Sequence, residues 1–232
     1  RFDTVKTFRQ LIPRGLIVSC QAPRGEAMHG SRFMAQMALA ARQGGAVAIR
    51  ADGGADIRAI RDTAGLPIIG IRKNLYPSSP VYITPTFDEA QEAVEAGADV
   101  VALDATARPR PRGAGLGALI QRIHQELDVP VMADVSTLEE GMAALSLGAD
   151  AVATTLSGYL DTPAVTGPNL ELVSRLLEAV DIPVLAEGRY HTPEEAATAL
   201  DLGAYGVVVG TAITRPHRIA ERFVAAMRGC LG

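Results

Sequence analysis

Short apolar runs rich in Val and Ile recur along the chain, separated by longer stretches of mixed polarity. Four runs follow a Gly-Ala step, and the alanines of these steps are 52, 51 and 55 residues apart: Ala46, Ala98, Ala149 and Ala204. Three more open with a proline, in "PIIGI", "PVMADV" and "PVLAEG", and "GLIVSC" precedes the first Gly-Ala step. The runs are continuous rather than alternating, as expected for parallel strands covered on both faces. The pattern therefore predicts eight buried parallel strands.

The stretches between the runs carry the features of helices. They lie at residues 31–43, 54–64, 87–96, 114–127, 138–147, 169–180, 193–202 and 215–229. In "TPEEAATALDLGA", Thr192 is predicted as the N-cap, Pro193 opens the first turn, and Gly203 is the stop. "STLEEGMAALSLGA" repeats the arrangement. Strands and helices are thus predicted to alternate along the chain.

Eight strand–helix units in 232 residues predict an α/β fold, a single-domain (β/α)8 TIM barrel over residues 1–232. The alternative is a doubly wound open sheet. That fold has a Gly-rich dinucleotide turn after its first strand, where this chain reads "SCQAPRGEAMHG". The barrel is therefore preferred.

Polar residues gather at one end of the predicted strands. In chain order the strands end at 19–21, Arg50, 72–73, Asp104, Asp134, 154–155, 187–189 and 210–211. The opposite ends read Pro, Gly and Ala. A single lysine at a strand end, such as Lys73, is usually a solvent-exposed residue with no role in function. Eight polar ends at one rim favour an active site there, because barrels build their active sites at the carboxyl ends of the strands.

Composition narrows the classes of function. Aromatic residues are 4% of the chain, Trp is absent and the net charge is −4, which disfavours nucleic-acid binding. No apolar run approaches the ~20 residues of a membrane span, and the start of the chain lacks a signal-peptide core, so we expect a cytoplasmic protein. Cys20 and Cys230 form no disulfide framework, and Cys20 is predicted to be a core thiol. Asp104 and Asp134 lack neighbours with metal-ligand spacing, so no metal is expected.

The last two strand ends have the character of a phosphate site. Barrels often bind phosphate on the loops after strands seven and eight. Here these loops read "EGR" and "VVGTAITRP", and they offer Gly188, Arg189, Gly210, Thr211 and Arg215. The plainer interpretation is that the two glycines only permit tight turns.

One loop is longer than the others. Pro67 and Pro130 are 63 residues apart, whereas Pro130 and Pro183 are 53 apart, so the third unit holds about ten extra residues. We place them after Lys73, where they could cover a bound ligand.

Taken together, these segments resemble the N-acetylmannosamine-6-phosphate 2-epimerase family. The matching motifs are "GLIVSCQA", "GGAVAIRA", "PIIGI" followed by Lys73, "YITPT", "MADVSTLEEG", "TTLSGY", "AEGR" before "TPEEA", and "GAYGVVVGTAITRP". They run from residue 15 to about 216. The resemblance implies interconversion of N-acetylmannosamine 6-phosphate and N-acetylglucosamine 6-phosphate by inversion at C2, in sialic-acid and amino-sugar catabolism, without a metal or redox cofactor.

The resemblance also assigns residues. Lys73 falls on the family's catalytic lysine and Glu187 on its catalytic glutamate. Five residues fall on substrate-binding positions: Gln21, Arg50, Asp134, Arg189 and Arg215. Beside these, Thr155 is a candidate for binding sugar hydroxyls.

Inversion at C2 requires that a proton leave the carbon beside the aldehyde and return on the opposite face. Lys73 is the best base, although an ordinary lysine with a pKa near ~10.4 is protonated at neutral pH. Burial, Arg50 and Arg72 would lower this pKa, and a nearby Glu187 would raise it. One-base and two-base schemes both fit these residues.

Three other functions remain open. A Schiff-base aldolase or lyase could use the same lysine. A non-catalytic phosphosugar-binding barrel is disfavoured by the presence of both Lys73 and Glu187. A barrel isomerase of amino-acid or thiamine biosynthesis fits "SCQA", "TTLSGY" and "ITRP" less well. As partners we expect an amino-sugar phosphate and, since such barrels often pair, a homodimer.

Overall fold

The computed structural model describes residues 6–113, 115–160 and 166–228. Eight strands lie side by side in chain order, and the last pairs with the first, so the sheet closes into a barrel with parallel pairing throughout. The strands are β1 (Gly15–Cys20), β2 (Ala48–Asp52), β3 (Ile68–Ile71), β4 (Val100–Asp104), β5 (Val131–Asp134), β6 (Ala151–Ala153), β7 (Val184–Glu187) and β8 (Gly206–Val209). The predicted (β/α)8 barrel is confirmed, and the open sheet is excluded.

Helices alternate with the strands. They are α1 (Phe8–Leu11), α2 (Ser31–Gln43), α3 (Gly54–Ala64), α4 (Phe87–Glu95), α5 (Leu116–Leu127), α6 (Leu138–Ser146), α7 (Leu170–Ala179), α8 (Pro193–Asp201), α9 (Thr211–Thr214) and α10 (Pro216–Arg228). The predicted bounds hold to within one or two residues for α2 to α8, apart from residue 114, which lies outside the described residues. The Thr192 cap of α8 is confirmed, since its hydroxyl accepts from the Glu195 N–H at 3.3 Å.

The helix predicted at 215–229 is confirmed as α10, which starts one residue later, at Pro216, whereas the short helix α9 before it was not predicted. The chain forms two helices, α9 and α10, that meet at Arg215, and residue 229 lies outside the described part. Pro216 explains the break, because a proline disfavours helical geometry at the residue before it and has no N–H to continue the ladder.

The short helix α1 closes the amino-terminal end of the barrel and was not predicted. Phe8 and Ile12 are buried there, and the ring of Phe8 meets that of Tyr205 edge-on with 6.1 Å between centroids. The Tyr205 hydroxyl donates to the carbonyl of Ile12 at 2.7 Å. A four-residue helix is too short to show a helical period in sequence. Its packing leaves the opposite rim as the open end.

The barrel interior is a packed apolar core. Its members come from every strand and include Ile17, Ala48, Ile69, Val100, Met132, Ala151, Leu185 and Val208. Outside the strands, two further apolar clusters fill the space beneath the helices. Among the described helices, none combines the length and apolar character needed to cross a membrane.

Two details at the rim bear on the site. Strand β2 does not stop at Arg50 as predicted but continues to Asp52. The extra residues of the third unit do lie after Lys73, in the segment 72–86, which confirms that placement. This segment folds back on itself, since Lys73 and Ile83 form an antiparallel bridge.

Candidate active site

The polar residues of the rim continue the inward-facing rows of the barrel interior. Successive side chains of a strand point to opposite faces, so a residue two positions beyond a core residue faces the same way. Arg50 follows Ala48 at this spacing, and Glu187 follows Leu185. The same spacing links Ser19 to Ile17, Asp104 to Ala102, Asp134 to Met132 and Thr155 to Ala153. The barrel therefore brings residues from six strands to one polar layer above the core.

A buried ion-pair cluster occupies the centre of this layer. The Arg50 guanidinium donates to both oxygens of Asp134, at 2.9 and 2.5 Å. It also donates to Oε2 of Glu187 at 2.8 Å. The side chains of Arg50 and Asp134 are 1% and 0% exposed, whereas that of Glu187 is 12% exposed. Both terminal nitrogens of Arg50 thus donate to carboxylates, while its buried Nε has no hydrogen-bond partner among the described residues, and Glu187 is the member of the cluster that reaches the open side.

The pKa values of both Arg50 and Glu187 are raised in this cluster, but for different reasons. Burial alone would lower the pKa of Arg50, but Asp134 and Glu187 outweigh it and raise that pKa, so the guanidinium stays charged. Burial is also the main influence on Glu187, and with the negative charge of Asp134 it raises the pKa of Glu187 to about 7. Arg50, Thr155 and Lys73 oppose this shift without cancelling it. Near neutral pH, Glu187 is therefore part acid and part carboxylate.

Thr155 lies between the two carboxyl groups. Its hydroxyl is 2.5 Å from Oδ1 of Asp134 and 3.1 Å from Oε2 of Glu187. A hydroxyl has one hydrogen to donate, so the shorter contact marks Asp134 as its acceptor. Thr155, predicted as a sugar-binding residue, also connects Glu187 to the buried cluster.

Lys73 lies at the same rim, just beyond the end of β3, in contact with two other side chains. Its Nζ is 2.5 Å from Oε1 of Gln21 and 4.0 Å from Oδ2 of Asp52. The amide of Gln21 is held by Ser19, whose hydroxyl accepts from Nε2 at 2.8 Å. The Lys73 side chain is 41% exposed, so Nζ sits at the mouth rather than in the core.

Burial also lowers the pKa of Lys73. Desolvation in the mouth is the largest cause, and the charge of Arg50 acts in the same direction. Asp52 is the strongest opposing group, followed by Glu187 and Asp134. The predicted influence of Arg50 is confirmed.

The expected influence of Arg72 on Lys73 is wrong. The Arg72 guanidinium pairs with Glu92, with Nε and Oε2 3.0 Å apart, and Arg72 is not among the main causes of the shift in the Lys73 pKa. Glu92 also accepts the N–H of Gly54 at the start of α3, at 3.0 Å. Arg72 contacts Lys73 through the backbone, where its Nη1 donates to the Lys73 carbonyl at 3.3 Å, and the carboxylate of Glu92 offsets its charge.

Lys73 and Glu187 border one cavity of about 280 Å³ at the open end of the barrel. This is close to the lower end of the size range of small-molecule sites. Its polar lining also includes Ser19, Gln21, Arg50, Tyr82, Thr155 and His191. Its apolar lining includes Ile71, Ile83, Leu156 and Val208. The cavity thus combines two ionisable groups of shifted pKa with a small apolar surface.

The five residues predicted for phosphate binding all line the same cavity: Gly188, Arg189, Gly210, Thr211 and Arg215. Arg189 donates to the carbonyls of Gly167 and Ser157, at 2.6 and 2.5 Å. Its guanidinium packs against Gly158, where an added Cβ would lie only 2.7 Å from Nη2. Arg189 is therefore held rigidly at the edge of the cavity.

Arg215 is held by a partner that the sequence did not indicate. Its Nε donates to Oε2 of Glu26 at 3.0 Å, and its Nη2 contacts Oε1 of the same carboxylate. Glu26 lies on the loop after β1, 189 residues away in sequence. This pairing leaves Nη1 of Arg215 as the donor group not used by Glu26.

Several residues in or beside the site were not predicted from the sequence, among them Asp52, Tyr82 and Glu26. Alternation along β2 could have found Asp52, two positions beyond Arg50, had the strand not been ended early. Tyr82 enters the cavity because the segment 72–86 folds back, with the Asn74 N–H donating to the Tyr82 carbonyl at 3.0 Å. Glu26 carries no local signal at all.

Two other chemistries were considered at the sequence level. Cys20 is fully buried, and burial raises the pKa of its thiol to about 12, which confirms the prediction of a core thiol rather than a nucleophile. Within residues 6–113, 115–160 and 166–228, no group of three or more His, Cys, Asp or Glu side chains is arranged to hold a metal ion.

Comparison with known proteins gives consistent results. The profile of the family "Putative N-acetylmannosamine-6-phosphate epimerase" matches residues 34–229. A "Putative N-acetylmannosamine-6-phosphate 2-epimerase" of Caldanaerobacter subterraneus subsp. tengcongensis is 52% identical over 94% of this chain and 93% of its own.

Solved structures agree. The N-acetylmannosamine-6-phosphate 2-epimerase from Clostridium perfringens superposes with a TM-score of 0.88 at 49% identity, covering 93% of this chain and 94% of that one. The thiamine phosphate pyrophosphorylase from Pyrococcus furiosus is similar with a TM-score of 0.57 at 20% identity, over 88% and 91% of the two chains, which shows a shared fold alone.

Proposed function

The chain belongs to the N-acetylmannosamine-6-phosphate epimerase family, and from this premise we propose how it acts. It is an isomerase that interconverts N-acetylmannosamine 6-phosphate and its C2 epimer, N-acetylglucosamine 6-phosphate. Such a reaction serves sialic-acid and amino-sugar catabolism, which we place in the cytoplasm. The observation that carries the proposal is the pairing of Lys73 and Glu187 on one cavity, each with a pKa moved toward neutrality.

Lys73 is the base in this proposal. The C2 proton is acidic when C1 is an aldehyde, so the open-chain sugar is the reactive form. A lysine can accept this proton only as the free amine, and the lowered pKa of Lys73 enlarges that fraction. Of the 22 Lys and Arg residues in the chain, only Lys6 and Lys73 are lysines. A lysine thus stands where an arginine, which does not lose its proton, could not serve.

Glu187 is the second proton-transfer group. Arg50 binds Oε2, and Oε1 accepts no hydrogen bond within the described residues. Oε1 can therefore carry the acidic proton toward the substrate, either to the enolate oxygen or to C2 from the face opposite Lys73. Thr155 holds Asp134, Asp134 holds Arg50, and Arg50 holds Glu187, so the acid stays in place while the substrate changes. The hydrogen bond from Nζ of Lys73 to Oε1 of Gln21 holds Nζ in place at the border of the cavity.

The phosphate is proposed to bind where Gly188, Arg189, Gly210, Thr211 and Arg215 meet. The location on the loops after β7 and β8 is the common phosphate site of such barrels. Both arginines are held in fixed positions, Arg189 by carbonyls and Arg215 by Glu26. Arg189 has no carboxylate partner among the described residues, so its charge can neutralise the phosphate, while Arg215 offers Nη1 as a hydrogen-bond donor. Binding the phosphate at this end places the sugar between Lys73 and Glu187.

Replacing Arg215 with methionine is expected to raise the KM for the sugar phosphate by about 10- to 100-fold, with a much smaller change in kcat. A hydrogen bond to a charged group is worth that much, and this one acts equally on substrate and transition state. Steady-state kinetics of epimerisation measures both constants. Arg218→Met removes the same charge from a surface pair with Glu221 and should leave KM unchanged. An unaltered KM in the Arg215 variant would place the phosphate elsewhere.

The function itself is tested by giving the enzyme each epimer separately and following both by proton NMR. The proposal expects the same equilibrium mixture from either side, with no added metal or cofactor. Borohydride separates it from the Schiff-base alternative, because an imine on Lys73 would be reduced to a stable adduct. With two lysines in the chain, peptide mapping assigns any adduct at once. A trapped sugar on Lys73 would favour the aldolase or lyase.

We also propose that two copies of the chain form a dimer through α10. Among the described helices, α10 is the one with no buried residue. Phe223, Val224 and Met227 lie within one turn of each other and are 67%, 50% and 56% exposed. An apolar helix face of this kind ordinarily packs against another surface. If a second copy packs the same face against it, the exposed apolar side chains of α10 become buried in both copies.

Light scattering should then give a mass about twice 24.3 kDa for the wild type. Phe223→Glu is expected to shift the protein to the monomer, because a charge on this face cannot be buried without a partner. Leu75→Glu is the matched control, since Leu75 is 85% exposed on the loop after β3. A monomeric wild type, or a Phe223 variant that stays dimeric, would contradict this interface.

A further inference from the structure

The carboxylate of Asp52 contacts Lys73 at two points. Its Oδ1 accepts the backbone N–H of Lys73 at 2.9 Å, and its Oδ2 lies 4.0 Å from Nζ of the same residue. Among the described residues, Asp52 makes no side-chain hydrogen bond or ion pair with any residue other than Lys73. At 22% exposure it is shielded from water on most sides. Asp52 is therefore not a solvated surface carboxylate, and its contacts point to a role that involves Lys73.

We propose that Asp52 is a positioning residue for Lys73, which fixes its backbone and, by attracting the ammonium form, sets the pH range in which Lys73 can act as a base. The inference rests on the proposed role of Lys73 in proton transfer at C2. It adds a residue that resemblance to the family did not assign. Asp52 does not touch the reacting atoms in this proposal and acts only through Lys73.

The backbone contact has a mechanical consequence. Lys73 lies two residues beyond Ile71, the last residue of β3, where the ladder to β2 ends. Asp52 is the last residue of β2 and pairs with Ile71 in the ladder. Its Oδ1 accepts the N–H of Lys73 and so adds a hydrogen bond between the two segments beyond that last pair. The bond fixes the backbone of Lys73 from the β2 side, while the bridge to Ile83 fixes it from the loop side. Nζ is therefore presented from a rigid base.

The charge contact has a chemical consequence. Arg50 lies on the same strand as Asp52 and disfavours the ammonium form of Lys73, as desolvation does. Glu187 from β7 and Asp134 from β5 favour the ammonium, but Arg50 is paired with both of them. Gln21 from β1 is neutral, and Arg72 is engaged by Glu92. Of the three carboxylates that act on Lys73, Asp134 and Glu187 are paired with Arg50. Asp52 is the one that has no arginine partner among the described residues.

Two properties of Lys73 compete: the fraction present as free amine and the strength of that amine as a base. A strongly desolvated amine would be neutral but a weak base, and a fully solvated one would be protonated. The carboxylate of Asp52 stabilises the ammonium that forms when C2 gives up its proton. Removing that charge should leave more free amine at low pH and a weaker base at high pH.

The direct test titrates Lys73 without using the reaction. Reductive methylation with ¹³C labels the two lysines, and the carbon shift of each dimethylamine reports its protonation. In Asp52→Asn, which keeps the acceptor oxygen but loses the charge, the midpoint of Lys73 should fall by about one pH unit, whereas Lys6 should not move. Glu92→Gln removes the same charge from the pair with Arg72 and should leave both midpoints in place. An unmoved Lys73 midpoint in Asp52→Asn would overturn the inference.

Kinetics supplies the second readout. The ratio of kcat/KM in Asp52→Asn to that of the wild type should exceed one on the acidic side and fall below one on the alkaline side. Asp52→Ala loses the backbone bond as well, so its rate should fall further at every pH. A ratio that stays constant with pH would mean that Asp52 is merely structural. Because the titration needs no turnover, failure of the proposed epimerase activity and failure of this inference give different results.

Discussion

Replacing Lys73 with alanine is expected to abolish both epimerisation and hydrogen exchange at C2. The loss in kcat should be about 10³-fold or more, since general bases contribute roughly 10²- to 10⁴-fold and Lys73 is the proposed acceptor of the C2 proton. The substrate should still bind, because the arginines proposed for the phosphate are untouched. Proton NMR of either epimer in D₂O measures interconversion and exchange in one experiment.

Lys73→Arg is the matched control for charge. It keeps a cation beside Gln21 and Asp52 but cannot supply a free amine, so it should be as inactive as the alanine variant. Lys6→Ala removes the other lysine and should leave the rate unchanged. Lys73 is 41% exposed, so neither replacement at this position should lower the melting temperature much. Near-normal exchange at C2 in Lys73→Ala would remove Lys73 from the mechanism.

Replacing Glu187 with glutamine should lower kcat by about 10²- to 10³-fold while KM changes little. Glutamine has the same shape and can still accept from Arg50, but it has no acidic proton to transfer. The wild type should lose activity as the pH rises through about 7, because the raised pKa of Glu187 keeps it protonated up to that point and not beyond. The residual activity of Glu187→Gln should lack this decline.

The control for this variant is Glu195→Gln, which changes a glutamate that caps α8 and accepts the N–H of Thr192. It should alter stability slightly and the pH profile not at all. If Glu187→Gln kept the wild-type kcat, or if its residual rate still declined near pH 7, Glu187 would not be the proton-transfer group.

The barrel was predictable because its signals are local and repeated. Each strand is a continuous apolar run, and helices such as α8 carry a cap, an acidic first turn and a stop within about a dozen residues. Helices α1 and α9 were both missed because an element of four residues shows no helical period. The strand order needed no guess once eight units were counted, since neighbours in sequence are neighbours in the barrel.

The site was predictable only in part. The strand ends identified Lys73, Arg50 and Glu187, because a parallel barrel brings every carboxyl end to one rim. Which of them would touch depended on side-chain direction and reach. The ion pair with Glu92 engages Arg72, whose charge was expected to act on Lys73. The link between Glu26 and Arg215 joins residues 189 positions apart and has no local pattern.

The central claim is that a proton leaves C2 through Lys73 and is replaced from the enzyme. Incubating N-acetylmannosamine 6-phosphate with the wild-type enzyme in D₂O tests it most directly, with the C2 proton followed by NMR. A lysine ammonium in D₂O holds the abstracted proton beside two deuterons, so even return by the same group delivers mostly deuterium. The account predicts N-acetylglucosamine 6-phosphate labelled at C2, with the C2 signal of both epimers disappearing at equilibrium. Interconversion with the original proton retained at C2 would contradict it.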